Sequence, residues 1–153
     1  YMETRAKLPV GQGIWPAFWM LGANIKEVGW PKSGEIDILE YVGRDPQMVY
    51  TTLHTQANHG DNASSSKMKF ENIEEGFHTF GVDWKKDKMD FYVDAILVYT
   101  FNPKDKNEDV WPFDQPFYFI LNMAIGGNFG GPEVDDTIFP QEFIIDYVRV
   151  YSN

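Results

Sequence analysis

The chain has 153 residues, 43 % of them hydrophobic, enough for one domain around one core and too apolar for a disordered acidic tail. Thirteen basic against 23 acidic residues leave a net charge of −10, which argues against nucleic acid or an anionic membrane as partner, since basic patches supply that affinity. There is no cysteine, so disulfides, thiolate metal sites and cysteine nucleophiles are all excluded, while the compartment stays open.

Tyr1, Glu3, Arg5 and Lys7 alternate with Met2, Thr4, Ala6 and Leu8, the period of two expected of a half-buried strand. Pro9 to Gly13 reads as a turn and Ile14 to Leu21 as a second apolar run. Further strands are expected at Gly34–Val42, Met48–Thr55, Phe77–Trp84, Met89–Val93, Ile96–Phe101, Pro116–Ala124 and Phe143–Tyr151. Asp94-Ala95 joins two of them as a tight hairpin, and the polar stretch Asn58 to Lys67, with the sequon Asn62-Ala63-Ser64, is expected to be a mobile loop. No stretch sustains a helical period for three turns, no repeat or domain boundary is visible, and no run nears the roughly 18 apolar residues of a membrane span. Short strands separated by turn signals indicate an all-β sandwich or barrel. Aromatic residues make up 16 % of the chain, which suits either an aromatic-rich core or a groove whose rings stack on the apolar faces of sugars.

Gly34-Glu35-Ile36-Asp37-Ile38-Leu39-Glu40-Tyr41 is the most informative segment. On a helix its acids would fall at about 0°, 200° and 140° around the axis, with the apolar residues equally scattered, so no face would be apolar. On a strand, Glu35 and Asp37 share one face and Ile36 and Ile38 the other. Glu40 has the wrong parity for that face. One extra residue, a β-bulge near Ile38-Leu39, returns it to the side of Glu35. The two Glu Cα atoms would then lie about 13 Å apart, with carboxyl groups leaning to about 5–6 Å. Retaining glycosidases hold their two carboxyls about 5–5.5 Å apart, one attacking the anomeric carbon and the other protonating the leaving oxygen. Asp37 between them is expected to keep Glu40 protonated near neutral pH while Glu35 stays charged. A three-acid cation site and a solvated acidic strand fit the same spacing.

GEIDILEY (Gly34–Tyr41) resembles the catalytic signature of glycoside hydrolase family 16 in its bulged E-x-D-x-x-E form. GIWPAFWMLG (Gly13–Gly22) is similar to the segment preceding it in that family's endo-β-1,3-glucanases, the laminarinases. LNMAIGGNFGG (Leu121–Gly131) and IDYVRVY (Ile145–Tyr151) are similar to its C-terminal motifs, and Trp84 to Phe101 to its hairpin. The resemblance implies a β-jelly roll of two curved antiparallel sheets with a cleft across the concave one. It implies Glu35 as nucleophile, Glu40 as acid/base and Asp37 as assisting acid. Trp15 and Trp19 look like its sugar-stacking positions, and at i and i+4 they share one strand face, in agreement with the parity. Glu3 and Arg5 match polar cleft residues of the family, Asn122 is expected to bond a sugar hydroxyl, and His54 to contact the acid pair. His59 and His78 carry no signal beyond loop and strand surface. The family often holds a structural Ca²⁺ through an aspartate at the position of Asp146.

The implied activity is endo-acting, retaining hydrolysis of β-1,3-glucan by a secreted, extracellular or periplasmic protein with no cofactor in the chemistry. Mixed-linkage glucan, agarose and carrageenan are alternative substrates of the same chemistry; a sulfated one would want a basic cleft. A non-catalytic glucan-binding lectin and a metal-binding protein are alternatives of other classes. Sandwiches of this kind run about 200–250 residues. The chain is therefore expected to be the C-terminal portion of one catalytic domain, incomplete at the N-terminus, with a complementing N-terminal segment or chain as a further partner beside the glucan.

Overall fold

Alternation builds the first strand. In the computed structural model, which describes residues 1–152, β1 (Met2–Lys7) buries Met2, Thr4 and Ala6 and leaves Glu3, Arg5 and Lys7 toward the surface. Nine more strands follow: β2 (Ile14–Gly22), β3 (Glu35–Glu40), β4 (Met48–His54), β5 (Ser64–Lys69), β6 (His78–Trp84), β7 (Met89–Val93), β8 (Ile96–Phe101), β9 (Phe117–Ile125) and β10 (Ile144–Val150). The two α-helical turns, Ile25–Val28 and Gly127–Gly130, are four residues each, and among the described residues no helix is long and apolar enough to cross a membrane. Both hairpin residues Asp94 and Ala95 take positive φ, 47° and 65°, the backbone twist that lets two residues reverse adjacent strands.

The strands form two antiparallel five-stranded sheets, β5-β4-β3-β2-β9 and β10-β1-β6-β7-β8. Their facing sides hold the core, in which Phe18, Ile36, Ile38 and Leu53 of one sheet and Phe80, Val82 and Phe91 of the other are fully buried. Each such side chain contributes roughly 1.5–3 kcal/mol on leaving water. That contribution makes the sheets' register costly to shift, because a slip of one residue would turn every one of these side chains outward.

Ser64–Lys69 overturns the loop expected at Asn58–Lys67: it is β5, an edge strand paired with β4 along its length. Its polar composition conceals it, since an edge strand with one wet face needs no apolar alternation; the open ladder of β4 supplies its hydrogen bonds. Ser66 Oγ donates to the Val98 carbonyl at 3.2 Å, tying this edge to β8 of the opposite sheet. The sandwich is thus closed at one side. At the other side, β9 and β10 are the last strands of their sheets. Leu121 and Ile125 share a face with the buried Phe18 and Ile14 across the β2–β9 ladder, yet are 37 % and 54 % exposed. Val148 and Val150, paired with Thr4 and Met2 of β1, are 37 % and 62 % exposed.

Candidate active site

β3 carries the site, and an extra residue in it decides which way its acids point. Against β2, Leu39 pairs with Phe18 and Asp37 with Trp19; against β4, Asp37 pairs with Thr52 and Glu40 with Tyr50. Ile38 is skipped on both ladders, which is the bulge that the sequence demanded. Ile36, Ile38 and Leu39 are all fully buried in consequence, while Glu40 comes back to the face of Glu35 and Asp37. All three acids line a pocket of about 190 Å³ with Trp15, Trp19 and Asn122. It adjoins a cavity of about 540 Å³ walled by Glu35, Glu40, Trp15, Trp30, Tyr50 and His54. The two glutamates therefore face the same space, on the side of the sheet away from the core.

The carboxyls differ in their partners. Glu40 accepts from the Trp15 indole N–H at its Oε1 and from the Thr52 hydroxyl at its Oε2, each at 3.2 Å. Burial nevertheless outweighs these bonds and pushes Glu40 up to about 7, with a smaller contribution from the Glu35 charge. Glu35 accepts from the Trp30 indole N–H at 2.7 Å. Burial raises it too, while that N–H and the neighbouring Asp37 hold it down. Asp37 is pushed well above the usual carboxylate range, first by burial and then by the charges of Glu40 and Glu35. The proton shared by Asp37 and Glu35 thus sits on Asp37, leaving Glu35 as the anion of the pair. Burial is thus the first cause of the proton held on Glu40, and the Glu40 and Asp37 charges oppose each other's ionisation beside it.

His54 lies where the sequence suggested, with Nε2 3.4 Å from Asp37 Oδ2 and 3.9 Å from Glu35 Oε1. Its Nδ1 accepts from the Gly60 backbone N–H at 3.1 Å, so the neutral ring carries its proton on Nε2. Burial, and then the proximity of His59, lower its affinity for a second proton. Asp37 Oδ2 itself is buried without a hydrogen-bond partner.

Trp15 and Trp19 share one face, as their spacing implied, and both line the pocket. Asn122 is there as well, with Oδ1 accepting from the Trp19 indole N–H at 2.7 Å. Its partner in the structure is thus an indole, and its amide nitrogen has no protein partner among the described residues. Glu3 and Arg5 are a correction. They project from β1, in the sheet on the far side of the core, where Arg5 pairs with Asp146 at 2.6 Å and Glu3 accepts from the Tyr147 hydroxyl at 3.0 Å. The alternation of β1 gave their shared face correctly but could not tell which sheet that face belonged to. Asp146 pairs with that guanidinium, and among the described residues it belongs to no cluster of three or more His, Cys, Asp or Glu side chains placed to hold a metal ion.

Trp30, Thr52, Tyr50 and Phe129 escaped the sequence reading. Phe129 packs edge-on against Trp15 and Tyr50 at centroid distances of 5.6 and 5.0 Å. Trp30 did carry a signal, an aromatic between Gly29 and Pro31 immediately ahead of the acid strand, and His59 packs edge-on against it at 5.5 Å.

A family model described as glycosyl hydrolases family 16 matches residues 1–147. A beta-glucanase of Rhodothermus marinus is 42 % identical over 97 % of the chain and 56 % of its own length. A glucan endo-1,3-beta-glucosidase of Cryptopygus antarcticus is 39 % identical over 98 % of the chain and 61 % of its own. The crystal structure of a laminarinase from Flavobacterium sp. UMI-01 superposes with a TM-score of 0.97 at 70 % identity, covering 99 % of the chain and 66 % of that protein. The chain therefore spans between about half and two thirds of the length of these relatives.

Proposed function

The chain belongs to glycosyl hydrolases family 16, and from that premise we propose that it is the part of an endo-acting, retaining β-1,3-glucanase that carries the catalytic acids. The observation that carries the reading is the bulge at Ile38, which turns Glu35, Asp37 and Glu40 to one wall of a single cavity with different proton affinities. In the first step Glu40 gives its proton to the glycosidic oxygen while Glu35 attacks the anomeric carbon. The C–O bond to the leaving sugar breaks and an ester to Glu35 forms. In the second step Glu40, now a carboxylate, takes a proton from water as that water attacks the same carbon and releases Glu35. A proton affinity near neutrality suits a group that must first lose and then regain a proton. Asp37, holding its own proton against Glu35, keeps the nucleophile anionic and steadies the carboxylate when its ester is cleaved.

Trp15 and Trp19 supply flat faces for sugar rings, and the acidic, aromatic lining favours a neutral glucan over a sulfated one. A polymer of this size does not cross a membrane, so the reading puts the protein outside the cytoplasm. The open edges at β9 and β10 suit further β-strands, one added to each sheet, from a complementing segment or chain.

Reducing-end release from laminarin, with lichenan as a parallel arm, tests the reading. Release from laminarin that Glu35→Gln abolishes without loss of fold is expected; release unaffected by Glu35→Gln, or binding of laminarin with no release, overturns it. Faster release from lichenan would shift the substrate to mixed-linkage glucan and leave the chemistry standing.

A further inference from the structure

One group in the cleft has more polar atoms than hydrolysis requires. Glu35, Asp37 and His54 each bring one ligand atom within 4.8 Å of the other two, with Glu35 Oε1 and Asp37 Oδ2 at 3.9 and 3.4 Å from His54 Nε2. We propose that these three atoms form a binding site for a divalent transition ion of the Zn²⁺ type, which competes with sugar for the cleft. Occupancy does not depend on the glycosidase reading; only the resulting inhibition rests on it.

Ligand chemistry, spacing and an unanswered buried oxygen carry the inference. An imidazole nitrogen beside two carboxylates suits zinc, copper or nickel, whereas calcium and magnesium want oxygen throughout. Bonds of about 2.0–2.2 Å around a tetrahedral ion put its ligand atoms about 3.3–3.6 Å apart. His54 Nε2 and Asp37 Oδ2 already stand at 3.4 Å. The Glu35 head, at 3.9 Å from the same nitrogen and within 4.8 Å of the Asp37 ligand oxygen, closes on the ion by a side-chain adjustment of about 1 Å or less. Asp37 Oδ2 is buried with no hydrogen-bond partner, on a side chain 5 % exposed, and it points at the trio. Such an oxygen is costly to leave unsatisfied, and a cation would answer it. Glu35 and His54 also line the 540 Å³ cavity, so the fourth coordination position opens to solvent and the ion has a way in.

Binding changes the histidine. A metal on Nε2 displaces the proton there to Nδ1, which then turns a donor toward the Gly60 N–H that it now accepts from. That bond is lost and its amide turns to water, a modest cost because the bond is exposed. The carboxyls bind as carboxylates, so protons leave to solvent as the ion enters. Loop 58–63, which carries Gly60, should loosen on metal binding.

Calorimetric titration of the whole protein with ZnCl₂ in a non-chelating buffer, paired with the visible spectrum of the Co²⁺ form, tests the site without any glucan. One ion per chain at micromolar affinity or tighter is expected, with a four-coordinate Co²⁺ spectrum and faster hydrogen exchange at the Gly60 amide. His54→Ala, checked for fold by circular dichroism, should weaken binding about 100-fold, while His59→Ala should leave it in place. Laminarin hydrolysis should then show a raised KM at unchanged kcat with Zn²⁺, reversed by chelator. No saturable binding, or binding that survives His54→Ala, overturns the proposal. A preparation that binds one Zn²⁺ yet never cleaves glucan supports the site and overturns the glycosidase reading alone.

Discussion

Thr52→Val isolates the control of the proton on Glu40. Thr52 stands on β4 opposite Asp37, 8 % exposed, and its hydroxyl donates to Glu40 Oε2 at 3.2 Å. That bond favours the ionised carboxylate and so holds Glu40 below where burial alone would push it. Valine keeps the shape and removes the donor. At 3.2 Å the bond is long, so its contribution is taken as about 1 kcal/mol, or about 0.7 of a pKa unit. Glu40 should move from about 7 to roughly 7.7. As an acid it is active when protonated, so the competent fraction at pH 8 rises from about 9 % to about 33 %, a three- to fourfold gain in kcat/KM on that limb. The profile of kcat/KM on laminarin between pH 5 and 9 reads this directly, and the acidic limb, set by Glu35, should stay in place. A basic limb that does not move, or moves to lower pH, refutes the assignment of Glu40 as the proton donor.

The same group couples stability to pH. The folded-state proton affinity of Glu40, about 7, exceeds its ordinary 4.5, so its stabilising contribution is complete below pH 4.5 and is lost as pH rises through 7, about 3 kcal/mol in all. Urea unfolding between pH 4.5 and 8 should show Glu40→Gln losing less stability over that range than the parent by about this amount; equal losses would contradict it. Gly43→Ala should cost more than about 3 kcal/mol, seen as a lowered Tm, because a Cβ there would stand 1.6 Å from the Gly11 carbonyl oxygen and only backbone could yield. Replacing Leu121 and Val148 together by lysine should reduce concentration-dependent association in sedimentation, since both present core-facing apolar surface at an open edge; unchanged association would show that edge to be unimportant.

The sequence carried much of the site, and the reasons are local. Side-chain direction along a strand repeats every two residues, so the parity of Glu35, Asp37 and Glu40, set against three apolar neighbours, was enough to require a bulge at Ile38-Leu39. Trp15 and Trp19 came from the family resemblance, and the same rule put them on one face. β5 escaped that rule, because an edge strand draws its hydrogen bonds from a neighbour and leaves no apolar imprint. Trp30 reaches Glu35 through a loop whose path depends on what it packs against.

Chain order and alternation alone determined that this is an all-β protein and which residues share a face, for both rest on contacts between near neighbours along a strand. They could not determine which sheet a face belongs to. Only the assembled sandwich put Glu3 and Arg5 across the core from the acids, and brought Asp146 to Arg5 from the other end of the chain. Only it surrounded Glu40 closely enough for desolvation to be the first cause of its held proton, since dielectric environment is a property of everything packed around a group and not of its sequence neighbours.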